Sequence, residues 1–129
     1  MSTRTWLWIF GTFLFVLGIL GFTPEATRAD VLLGLFQTEA LLNAIHLIVG
    51  ALALVLAWKA PPYTQLFFQV FGTIFALMAV VGLLEGDSVL GLVAVNLSDN
   101  ILHLVLAAAA LWIGFGVKGE SAPPMVSAI

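Results

Sequence analysis

The sequence predicts an all-α fold, a four-transmembrane-helix bundle built from two parallel two-helix repeats. Apolar residues make up 62% of its 129 residues and charged residues 9%, with a mean hydropathy of +1.16, a balance that ordinary soluble domains do not show. Four apolar runs each approach the roughly 20 residues that a helix needs to cross a hydrocarbon core. The third observation is a duplication. Leu33-Gly34-Leu35 leads to Asn43, His46, Leu47, Ala51 and Leu54, and 57 residues later Leu90-Gly91-Leu92 leads to Asn100, His103, Leu104, Ala108 and Leu111.

The first run, Trp6 to Phe22, ends at Thr23-Pro24-Glu25, where proline and charge stop a spanning helix. Arg4, the apolar run and small residues ending at Ala29 give it the outline of a secretory signal. A second duplication argues for a resident helix instead: Phe10-Gly11-Thr12 with Gly21 recurs as Phe71-Gly72-Thr73 with Gly82, at an offset of 61. The second run spans about Thr38 to Trp58, and the turn Lys59-Ala60-Pro61-Pro62 makes it an antiparallel neighbour of the third, Tyr63 to Leu84. Glu85-Gly86-Asp87-Ser88 closes the third, and the fourth covers about Val95 to Val117.

Adding Asp30 to Gln37 to the second span would overrun the membrane. This stretch and Ser88 to Ala94 are therefore expected to be short helical pieces along the interface, bending near Gly34 and Gly91, with Asp30 and Ser88 or Asp87 as N-caps. One domain is expected over residues 1–118, with repeats at about 6–58 and 63–117, and a short flexible tail over 119–129. Each repeat holds two crossings, so the halves share orientation and a pseudo-twofold axis along the membrane normal should relate them. Arg4, Lys59 and Lys118 fall on one side and Arg28 on the other, which places both termini in the cytoplasm of an inner-membrane or thylakoid protein.

Within the second helix Glu39, Asn43, His46, Gly50, Ala53 and Ala57 share one face, and Asn96, Asn100, His103, Ala107, Ala110 and Gly114 match them in the fourth. Each stripe is polar in one half and small in the other. Small residues let helix backbones approach closely in lipid, so the second and fourth helices are expected to face each other. The economical pairing is then reciprocal, His46 with Asn100 and His103 with Asn43, with Glu39 and Asn96 as the next rung. Asp99, four residues before His103, is placed to accept its ring N–H.

These residues resemble a family of small four-helix bacterial membrane proteins known as a domain of unknown function. The likeness rests on Gly34-Leu35-Phe36, Asn43, His46-Leu47 and Gly50, and on Gly91-Leu92, Asn96, Asp99-Asn100 and Leu102-His103-Leu104, with Glu39 standing where the family pattern has asparagine. It implies four helices and no particular activity.

Zero cysteines exclude disulfides, thiolate metal sites and iron–sulfur clusters, and a formal charge of −3 offers no basic surface to nucleic acid. Catalysis finds no support: Ser98 points away from His103, and no glycine-rich phosphate loop is present. The leading expectation is an accessory or structural subunit, embedded in the bilayer with other membrane subunits or copies of itself, its Asn and His residues acting as interhelical glue and no cofactor bound. A second has His46 and His103 ligating haem or a chlorophyll-type ring. The third is a metal or proton site at Glu39, His46, Asp99 and His103.

Overall fold

The computed structural model describes residues 1–28, 31–37 and 39–117. The expected cap Asp30, the start of the second run at Thr38, Lys118 and the tail 119–129 lie outside the described residues. Helix α1 covers Thr3–Gly21, α2 Ala40–Lys59, α3 Thr64–Glu85 and α4 Leu97–Gly116, each long and apolar enough to cross a membrane. The chain is a small integral membrane protein of four spanning helices.

Local chemistry sets the helix ends. Ser2 caps α1 by accepting the Thr5 N–H at 3.1 Å, and Thr23-Pro24 follows its end. Pro61 cannot extend α2 and opens a 3₁₀ turn, Pro61–Tyr63, that leads straight into α3. At the end of α3, Gly86 turns the chain at φ 91°. A capping box starts α4: the Asn96 side chain accepts the Asp99 N–H and the Asp99 carboxylate accepts the Asn96 N–H, both at 2.9 Å.

The expected interfacial helices are β-hairpins instead. Strands β1 (Thr27–Arg28), β2 (Val31–Leu32) and β3 (Phe36–Gln37) follow α1, and β4 (Ser88–Val89) with β5 (Val93–Ala94) follows α3. Leu32 faces Phe36 and Val89 faces Val93, the same register 57 residues apart. The bends fall where expected but have the wrong hand for a helix. Leu33 and Gly34 sit at φ 53° and 73°, Leu90 and Gly91 at 56° and 69°, and Leu35 and Leu92 return their N–H to Leu32 and Val89 at 3.0 Å. Two successive positive φ values make the tight turn that suits the twist of paired strands. Ser88 is no helix cap either; its hydroxyl donates to the Glu85 carboxylate, which also accepts the Leu90 N–H.

Packing departs from the expected facing of the second and fourth helices. Helix α1 runs along α2 and α3 along α4, while α2 and α4 share little backbone contact. The small residues do permit close approach, but within each pair. A methyl group on Gly50 would lie 2.6 Å from the Phe15 amide nitrogen of α1, and one on Gly114 would lie 2.8 Å from that of Gln69 of α3. Ala53 fits against Gly11, and Ala110 against Gly72. Between the pairs lies an aromatic core in which Phe10 meets Phe68 edge-on at 5.5 Å and Phe67 at 5.9 Å, with Phe75 at 6.0 Å.

Candidate functional site

A polar centre lies toward the hairpin end of the bundle, where α2 contributes Asn43 and His46 and α4 contributes Asn100 and His103, all four buried. Each asparagine sits over a glycine at the end of the preceding helix. The Asn43 amide donates to the Gly21 carbonyl at 2.8 Å, satisfying a group that the last turn of α1 leaves without an intrahelical partner. A methyl group on Gly21 would overlap that amide, and one on Gly82 would overlap the amide of Asn100. This explains why both glycines recur at the offset of 61.

The two imidazoles meet across the centre, ring centres 6.0 Å apart and planes inclined at 61°. His103 also stacks on Phe75 at 6.2 Å, nearly parallel. The expected His46–Asn100 and His103–Asn43 bonds are not formed: among the described residues Nε2 of His46, both ring nitrogens of His103 and Oδ1 of Asn100 have no hydrogen-bond partner. The pairing fails because it presupposed that α2 and α4 face each other directly. Nor does Asp99 accept from His103, whose ring nitrogens both lack a partner among the described residues; one oxygen of the Asp99 carboxylate closes the capping box with Asn96.

Glu39 and Asn96 do not bond each other; each crosses to the hairpin of the other repeat. The Glu39 carboxylate accepts the Ala94 N–H at 2.9 Å, and the Asn96 amide donates to the Leu35 carbonyl at 2.8 Å. Beside the centre is a cavity of about 10 Å³ whose walls include His46, Asn43 and Asp99. That is about the space of one water molecule.

Sequence reasoning missed the polar contacts at the opposite end. Thr3 and Thr64 share a buried hydroxyl–hydroxyl bond of 2.7 Å. The Arg4 Nε donates to the Ala57 carbonyl at 2.7 Å, while the amides of Gln65 and Gln69 donate to the Gly114 carbonyl at 3.1 and 2.8 Å. The available signal was the offset of 61, which maps Thr3 onto Thr64 and Arg4 onto Gln65. Among the described residues no group of three His, Cys, Asp or Glu side chains is arranged to hold a metal ion.

The profile of a family described as a domain of unknown function, DUF4383, matches residues 4–116. No curated protein and no solved structure matches the chain.

Proposed function

The chain belongs to the DUF4383 family, a domain of unknown function, and from its geometry we propose a non-catalytic module that docks against the helices of a larger membrane assembly. The supporting observation is a pair of apolar grooves on the two seams between the helix pairs. One, of about 190 Å³, lies between α1 and α4 and is walled by Trp6, Ile9, Phe10 and Ile113. The other, of about 270 Å³, lies between α2 and α3 and is walled by Phe67, Val70, Phe71 and Leu56, the matching residues of the other repeat. Polar side chains at both ends are meanwhile turned to internal bonds, Arg4 to the Ala57 carbonyl at one end and Asn43 to the Gly21 carbonyl at the other. A module of this kind offers partner helices shape rather than hydrogen bonds, the mode that packing in lipid favours.

The same reading relates the two halves by a pseudo-twofold axis along the membrane normal. Its support is that residues at matching positions touch, Thr3 with Thr64 and His46 with His103. Arg4 and Lys59 lie at the end away from the hairpins, which favours cytoplasmic termini. The tetrapyrrole alternative finds no such support, because a cavity of about 10 Å³ beside His46 and the Phe75 ring against His103 leave no room for a macrocycle.

Photo-crosslinking in native membranes tests the docking reading. A benzophenone side chain at Ile9 or Val70, matching positions in the two grooves, is expected to give discrete protein adducts. Adducts with lipid alone at both positions would refute it.

A further inference from the structure

Four polar atoms at the heart of the bundle are without partners among the described residues: Nε2 of His46, Nδ1 and Nε2 of His103, and Oδ1 of Asn100. His103 and Asn100 are each 1% exposed and His46 is 5% exposed. Leaving one such atom dry costs about 1–3 kcal/mol, so burying four of them together leaves imidazole donors free for a bound species.

We propose that His46 and His103 bind one monovalent cation of the copper(I) class, one ring nitrogen from each imidazole serving as donor and the Asn100 oxygen lying on the same face of α4. This goes beyond the docking role and does not depend on it. Separation is the first support. Two imidazoles that share an ion through bonds of about 2 Å have their ring centres about 5 to 6.5 Å apart, depending on the angle at the ion. The observed 6.0 Å lies toward the open-angle end, away from a tetrahedral arrangement.

The donor set is the second support. Zinc takes four ligands in a structural site and three in a catalytic one, and calcium, magnesium and manganese prefer carboxylate and carbonyl oxygen. Here the carboxylates of Glu39 and Asp99 accept backbone N–H groups, and the chain has no cysteine. Neutral imidazole is a borderline donor that copper accepts, and a d10 monovalent ion is content with two such donors where a divalent ion is not. Charge points the same way. Desolvation cost rises with the square of charge, so a single positive charge enters this apolar centre far more readily than a double one. Stacking on Phe75 holds the His103 ring in place before an ion arrives.

The test uses the full-length protein in detergent micelles, treated anaerobically with copper(I) supplied as its acetonitrile complex and then desalted. One copper per chain is expected, with an X-ray absorption shell of two nitrogen neighbours at about 2 Å. His46→Leu and His103→Leu should each lower copper retention by about tenfold or more, since loss of a direct ligand should cost no less than loss of an outer-shell partner. Phe75→Leu keeps both donors and should retain copper. The wild-type absorption measurement stands alone if a histidine variant fails to fold. Failure of the wild type to retain copper, a shell dominated by sulfur or oxygen, or undiminished retention in both histidine variants would overturn the proposal.

Discussion

At the scale of single residues, the polar centre depends on what is missing from a glycine. The Asn43 amide occupies the volume of a Gly21 side chain, so Gly21→Ala must push the amide off its carbonyl partner. A loss of about 2 kcal/mol is expected, read as a lowered thermal midpoint in detergent. Gly34→Ala meets no atom within 4 Å and carries only the strain of φ 73°, so it should cost about 1 kcal/mol. The Thr3–Thr64 bond gives a different signature. Either Thr→Val change alone strands a buried hydroxyl and should cost about 1 kcal/mol, while the double change should cost little more than one single, a coupling that a double-mutant cycle measures. The sequence revealed which residues mattered here but not whom they met. Asn43 and His46 stood out by chemistry and recurrence, whereas the acceptor for Asn43 is a backbone carbonyl, which carries no letter of its own. Asp99 was legible in principle as the third residue after an N-cap asparagine, a capping-box spacing that its distance of four from His103 obscured.

At the scale of elements, the four helices were readable because span length and composition leave a lipid-crossing segment little alternative to a helix. The hairpins were not, because two-residue strands are too short to show alternation and their turns place leucine where glycine or asparagine is usual. Leu33 and Leu90 hold φ near 55° at a steric cost that asparagine largely avoids. Leu33→Asn and Leu90→Asn are therefore expected to stabilise the protein by about 0.5–1 kcal/mol each; a loss of stability in thermal unfolding would contradict the hairpin geometry. Asn96 serves two structures, the start of α4 and the tie to Leu35. Asn96→Ala should accordingly lose about 1–2 kcal/mol, more than a simple cap removal on an isolated helix.

For the whole molecule, the repeat was legible but its assembly was not. Small residues on α2 and α4 announced close packing, yet a stripe of glycine and alanine does not say which neighbour fills it. The partner stripes on α1 and α3, Gly11 with Gly21 and Gly72 with Gly82, held that information. The two helix pairs meet through aromatic rings and a few polar contacts, and the absence of cysteine makes one such meeting, Thr3 with Thr64, easy to test. A chain carrying Thr3→Cys and Thr64→Cys should form an internal disulfide, visible as faster migration without reductant. Thr12→Cys with Thr73→Cys, at the same offset but on exposed helix faces, should not. The ties at Glu39 and Asn96 carry a consequence for ancestry. Two identical half-length chains would have to present one residue type at both posts, whereas here a carboxylate accepts at one and a carboxamide donates at the other. Covalent fusion is what frees equivalent positions to specialise in opposite senses.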